Sequence, residues 1–178
     1  MIFSFISLCI SFYNLPKYTN NGTPKGFTSI TPFIVVKNPS EAIEFYKTVF
    51  NATVKDITEY SDGNGNKIIV HAELDFGNGF LQLGAANPAY NLTLPPDDDK
   101  ACYSLGIYVI DVDEVFENAV ERGAKVREPI ANFVSGDRFG NILDPFGVRW
   151  SIMTRIEDLS EEESSRRVAE WAKSFKGE

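Results

Sequence analysis

The chain has 178 residues, 43% of them hydrophobic and 13% aromatic, enough to enclose one compact core or two small modules sharing one. Its formal charge of -8 at a sequence pI near 4.7 excludes the clustered basic surface that nucleic acid or an anionic membrane requires, so neither is expected as a partner. Cys9 and Cys102 have neither metal-ligand spacing nor a disulfide framework, which fits a reducing cytoplasm.

Residues 1–25 read as a leader or disordered arm outside the fold. Met1 to Tyr13 resembles the apolar core of a signal peptide, yet no Lys or Arg precedes the run and no small-x-small cleavage site follows it. It is also too short to span a bilayer. Removal of residues 1–24 is expected to leave the melting temperature nearly unchanged.

Residues 26–86 read as a first βαβββ unit. Ser29 to Val36 is β-rich, and Pro32 inside it points to an edge strand. Asn38-Pro39-Ser40-Glu41 supplies a helix start, with a cap, a Pro at the first helical position and a Glu in the first turn. Ala42, Ile43, Tyr46, Val49 and Phe50 then form one apolar stripe at helical period, so the helix should lie on a sheet. Strands are expected at Thr53 to Tyr60, Lys67 to Phe76 and Phe80 to Ala85, with Asn78-Gly79 as a type I′ hairpin turn between the last two.

Residues 87–101 carry three prolines and Asp97-Asp98-Asp99-Lys100, the composition of an exposed linker. The pattern then restarts over residues 102–156. Tyr103 to Ile110 is a strand, Asp111-Val112-Asp113-Glu114 caps a helix, and Gly123 ends it. The two caps are offset by 111 − 38 = 73, and Ser29 to Val36 registers on Cys102 to Val109 at the same offset. Neither half-sheet can bury its inner face alone, so two curved sheets should combine around a shared cavity.

The second unit closes on Gly136 to Met153, two β-rich runs around Asp144-Pro145-Phe146-Gly147, a type I turn by composition. If Asp144 faces Gly147, Ser151 pairs near Gly140. Arg138, Gly140 and Ile142 then share the small, polar face with Arg149, Ser151 and Met153. Residues 157–178 follow as an amphipathic helix, opened by the capping box Ser160-Glu161-Glu162-Glu163 and striped by Val168, Trp171, Ala172 and Phe175. That stripe should pack on the body or on a second copy, making the protein a homodimer.

The paired βαβββ pattern, Ala42-Ile43-Glu44-Phe45-Tyr46, His71-Ala72-Glu73-Leu74, Gly136-Asp137-Arg138-Phe139-Gly140 and the run Asp144 to Ser151 resemble the glyoxalase, bleomycin-resistance and extradiol-dioxygenase superfamily. Within it they most resemble the PhnB-like branch. The resemblance covers about Gly26 to about Arg167 and implies the vicinal-oxygen-chelate fold, an α+β architecture of paired curved mixed sheets around a cavity, here with an added C-terminal helix. It also implies a homodimer with a small-molecule site. In metal-dependent members, His and carboxylate side chains on the first and last strand of each half hold the ion. Those positions fall on Thr31, Gln82, Ser104 and Ser151, none of which offers an anionic or imidazole donor, so no metal and no other cofactor is expected.

Candidate chemistry centres on His71, the sole histidine, with Glu73 two residues on along the same strand face. At that spacing a carboxylate can orient or charge an imidazole as an acid-base pair, or the two can form a polar pair at a sheet rim. Gln82 should share their face. Arg138 suits a ligand carboxylate or phosphate, or else an internal ion pair. Phe33, Tyr108, Ser151 and Met153 complete the expected ligand-binding set. Three functions are compatible with these residues: a metal-free small-molecule binding homodimer; a lyase, isomerase or dioxygenase using His71 and Glu73 as an acid-base pair or as an atypical metal pair completed by Asp75 or Gln82; or a structural dimer whose cavity its own side chains fill.

Overall fold

The computed structural model describes residues 18–20, 22–98 and 100–174; the apolar leader and Phe175 lie outside them. The chain starts with a small hairpin of β1 (Thr19–Asn20) and β2 (Thr23–Pro24). The first unit follows: β3 (Phe33–Val35), α1 (Pro39–Phe50), β4 (Thr53–Ser61), β5 (Lys67–Asp75) and β6 (Phe80–Gly84). A single 3-10 turn at Pro88–Tyr90 interrupts the linker. The second unit comprises β7 (Leu105–Tyr108), α2 (Val112–Glu121), β8 (Lys125–Asn132), β9 (Asp137–Leu143) and β10 (Arg149–Arg155), and α3 (Glu161–Ser174) ends the described chain.

Both units share one plan. Their sheets run β3-β6-β5-β4 and β7-β10-β9-β8, each with its first strand parallel to its last and the other pairs antiparallel. The first strand of each unit is therefore an edge strand, which is where Pro32, just before β3, is tolerated. The fold is the α+β arrangement of two βαβββ half-repeats with a C-terminal helix.

The helices form for the reasons their sequences give, with one exception. Asp111 Oδ1 accepts from the N–H groups of Asp113 and Glu114 at 3.0 and 3.1 Å, while Gly123, at φ +94°, turns the chain out of α2. Asn38 makes no such cap on α1; its amide donates instead to Glu41 Oε2 at 3.2 Å. The α1 stripe is buried throughout, with Phe45 added, because this helix packs on its own sheet and also on the other unit.

That second contact joins the halves. Tyr46, Phe50, Phe76 and Trp150 form one ring cluster, with Phe50 4.7 Å and Tyr46 5.4 Å from Trp150. At its centre is Asp144, only 4% exposed. Its Oδ2 accepts from Tyr46 Oη at 2.7 Å and Trp150 Nε1 at 3.0 Å, while its Oδ1 accepts from the N–H groups of Phe146 and Val148, both at 2.9 Å. Burial pushes the Asp144 carboxyl above its usual range against the pull of these four donors. Burial, and then the neighbouring Asp144, likewise raise the Tyr46 phenol.

Two turns differ from expectation. Asp144 pairs with Val148 rather than Gly147, since the Asp144 N–H donates to the Val148 carbonyl and Gly147 sits at φ +86° as an extra left-handed residue. This is a three-residue loop with a glycine bulge, and it shifts the ladder by one: Ser151 pairs with Asn141, Met153 with Phe139, and Arg138 with Thr154. In the other hairpin Asn78-Gly79 does not form a type I′ turn. The left-handed residue is Gly77, at φ +92°, and the ladder closes on Asp75 and Phe80, with Glu73 rather than Asp75 opposite Gln82. That slip is even, so no side chain changes face.

Helix α3 is capped as its sequence predicts, with the Glu163 N–H donating to Ser160 Oγ at 3.1 Å. Its apolar stripe is only partly covered. Trp171 meets the Phe133 ring edge-on at 4.8 Å yet stays 40% exposed, and no residue of the helix is buried.

Candidate functional site

Each sheet has one face on its helix and one turned away from it. On the first sheet Ala72, Leu74, Leu81 and Leu83 are buried on the α1 side. Strand alternation then places Phe33, His71, Glu73 and Gln82 together on the opposite face. Gln82 Nε2 donates to Glu73 Oε1 at 3.0 Å, His71 Nε2 lies 3.4 Å from the same oxygen, and the Phe33 and His71 rings are 5.9 Å apart. On β4, Thr58 stands opposite His71 and Asp56 opposite Glu73. Asp75 continues the face and pairs with Lys55 at 3.0 Å. The Gly77 N–H, and then Lys55, hold the Asp75 carboxyl below the usual range.

The matching face of the second sheet carries Tyr108, Ser151 and Met153 as expected, and the carbon a side chain would add at Gly106 lies 3.1 Å from Met153 Cε. Its polar centre is a ladder across β8, β9 and β10 to Ser104, just before β7. Glu128 on β8 takes the Asn141 amide, Ser151 Oγ donates to Asn141 Oδ1, and Ser104 Oγ lies 3.2 Å from Ser151 Oγ. Arg149 closes on Glu128 at 3.3 Å. The one-residue register shift explains why the sequence does not point to Asn141, which counting Gly147 as a bulge would place opposite Ser151; Glu128 reaches Asn141 through a separate irregularity in β8, between Val126 and Glu128, that the sequence does not signal.

Arg138 must be moved. It shares the helix-facing side with Gly140, which abuts Phe116 of α2, and it donates to both Asp113 carboxylate oxygens at 2.6 and 2.7 Å and to Asn132 Oδ1 at 2.9 Å. This bidentate pair holds the Asp113 carboxyl below its usual range. Arg138 is an internal strap between β9 and α2, not a group facing Ser151.

A cavity of about 460 Å³ runs along the seam between the units, bordered by Ile30, Pro32, Phe76, Phe80, Leu105 and Tyr108 among others. Of the expected site residues only Tyr108 lines it. The His71 and Ser151 faces are open surfaces within one chain.

At the four positions where an ion would be held, the side chains are those of Thr31, Gln82, Ser104 and Ser151. Gln82 is engaged by Glu73, and the two serines by each other and Asn141. Among the described residues no three His, Cys, Asp or Glu side chains are placed to share one ion. Neutral hydroxyl and amide donors do not replace the water shell of a divalent cation, so these residues do not fit the metal.

Paired βαβββ units with polar groups on the faces turned from their helices define a protein built on the vicinal-oxygen-chelate plan. The Glyoxalase/Bleomycin resistance protein/Dioxygenase superfamily matches residues 27–152, and the chain belongs to that superfamily. It is 27% identical over 138 residues to an uncharacterized protein of Mycobacterium tuberculosis, an alignment covering 76% of this chain and 79% of the relative. Among solved structures the fold is similar to the PhnB protein from Bacillus cereus, with TM-score 0.56 and 23% identity over 71% of this chain and 99% of that one. It is also similar to the fosfomycin resistance protein FosX from Listeria monocytogenes, complexed with Mn(II) and sulfate, with TM-score 0.57 and 11% identity over 79% of this chain and 97% of that one. No helix among the described residues is long and apolar enough to cross a membrane.

Proposed function

We propose that this is a PhnB-like, metal-free binding protein for a small molecule, working as a cytoplasmic homodimer, with the ligand held on the faces that carry His71 and Ser151. The observation that carries the reading is the chemistry of the four positions, where hydroxyl and amide groups stand in place of ligands for an ion and three of them, Gln82, Ser104 and Ser151, are tied into hydrogen-bonded clusters. Such clusters hold their side chains in fixed directions, which favours recognition of an organic ligand over ion binding. Dimerisation is supported by the edge strands β3 and β7, each paired on one side only, and by the exposure of Ile30 (81%) and Tyr108 (58%) beside the seam cavity. A second copy covering these edges would turn two open faces into one enclosed site.

A second reading has its own observation. His71 Nε2 at 3.4 Å from Glu73 is a contact that an acid-base pair would tighten on binding substrate, so a lyase, isomerase or dioxygenase using His71 and Glu73 is the alternative. Metal analysis of the purified protein, with thermal shift against divalent ions, separates the two. An ion at 100 times its dissociation constant would stabilise the fold by about 2.7 kcal/mol. Stoichiometric metal that disappears in His71→Ala overturns the metal-free reading, and a monomer mass at tens of micromolar overturns the dimer.

A further inference from the structure

The hydrogen bonds on the two faces have a direction, and it identifies the kind of molecule they receive. A carboxylate only accepts, so a chain of hydrogen bonds ending on one is polarised toward it. On the second sheet the chain ends at Glu128. The Asn141 amide must turn its NH2 to Glu128, leaving its oxygen for the Ser151 hydroxyl proton. Ser151 has then spent its proton, so the Ser104 proton goes either to Ser151 Oγ at 3.2 Å or to the Arg149 carbonyl at 3.5 Å. What remains at the exposed end is the Ser104 oxygen, with lone pairs and no proton to give.

The first sheet repeats this polarity. Gln82 spends one of its two amide protons on Glu73, which turns its oxygen away from the carboxylate and leaves it free to accept. His71 turns Nε2 toward the same carboxylate, so in the neutral ring Nδ1 is left to accept. Carboxylates outnumber cations on these faces: Asp56, Glu73, Asp75, Glu128 and Asp137 against Lys55, Arg149 and Arg155, each of the three cations already paired with one of the carboxylates. Arg138 is tied to Asp113 on the other side of β9 and does not offset that excess.

We infer that the ligand is a cation rich in N–H donors, an amidinium, guanidinium or protonated amine on a compact apolar body, rather than a carboxylate or phosphate. This rests on the reading of the two faces as the site. In the site that a second copy would enclose, the cationic group meets the Glu73 and Gln82 acceptors of one face and the Ser104 acceptor of the other, and Phe33 and Met153 supply the apolar contact. The excess charge attracts the ligand, and the polarity of the hydrogen bonds makes the preference one of structure as well as of field.

Benzamidine and benzoate test it, since they share a ring and a planar three-atom head but have opposite charge and opposite hydrogen-bonding sense. Each is titrated into the isotope-labelled full chain at low ionic strength while backbone amide resonances are followed. Benzamidine is expected to shift His71, Glu73, Gln82 and Ser151 saturably, with an affinity about tenfold above that of benzoate. Glu73→Gln, which keeps the side chain's shape and its contact with Gln82, is expected to remove most of that preference. Equal or tighter benzoate binding at these residues overturns the charge assignment and leaves the site standing. Shifts confined to the seam cavity around Phe80 and Leu105, or no saturable shift with either probe, overturn the site and the inference together.

Discussion

Replacing Asp144 with Asn tests whether burial or hydrogen bonding governs the acid that joins the two units. The Asn oxygen can keep the N–H groups of Phe146 and Val148. Its NH2 then stands where Oδ2 accepted from Tyr46 and Trp150. The Tyr46 hydroxyl can rotate and accept, but an indole N–H only donates, so Trp150, 3% exposed, is left with a buried unsatisfied donor. That costs about 1–3 kcal/mol, read as the difference between wild type and variant in urea unfolding at neutral pH. The pH dependence is the stricter test. Because the folded-state pKa of Asp144 is raised, the native state holds its proton more tightly than the unfolded chain does. Its contribution to stability is therefore fully present below the ordinary aspartate value of about 3.9 and is lost as pH rises through the raised value. The difference between wild type and Asp144→Asn should widen on acidification. A difference that narrows toward acid would mean that the four donors outweigh burial, and a variant as stable as wild type would mean that Asp144 does not join the halves.

Other expectations follow from single contacts. Gly84→Ala should destabilise by about 1–3 kcal/mol in the same assay, because the new carbon would sit against the Val70 carbonyl, 2.8 Å from its carbon, where only backbone movement relieves the clash. Arg138→Met should leave ligand affinity unchanged, whatever the ligand's charge, since the guanidinium is bound to Asp113 behind the sheet; a loss confined to anionic probes would return it to the site. Glu163, held at about 2 by Arg166 and then Arg167, supports α3 above the ordinary glutamate range and loses that support as pH falls from about 4.5 toward 2. Trp171 fluorescence should therefore shift red in that window, ahead of any change at the buried Trp150.

The two hairpins show what can be read from a chain and what cannot. Both turns were placed correctly along the sequence, and both registers differ from expectation. Around Gly77 the slip is two residues, an even number, so His71, Glu73 and Gln82 remain together. Around Gly147 the slip is one, and Arg138 changed sides while Asn141 took its place. Face assignment depends on the parity of the ladder, and composition identifies a turn without fixing whether its glycine counts as a loop residue or a bulge. The helices posed no such difficulty, since their stripes depend on spacing within one element: Ala42, Ile43, Tyr46, Val49 and Phe50 are all buried. The hairpin at Thr19–Pro24 lay inside the stretch read as an arm, where four short-strand residues around Gly22 leave little periodic signal.

The contact between Tyr46 and Asp144 has a consequence for how the halves relate. At the offset of 73 that superposes α1 on α2, the counterpart of Tyr46 is Ala119, so the clasp runs in one direction only and has no mirror in the other unit. Two copies of one ancestral unit meeting across a true twofold axis would carry the contact twice. Here one unit has become the donor and the other the acceptor, so the two are no longer interchangeable: a chain assembled from two first units, or two second units, would lack one side of the lock. The same asymmetry couples their melting, and calorimetry of the whole chain should give one transition rather than two.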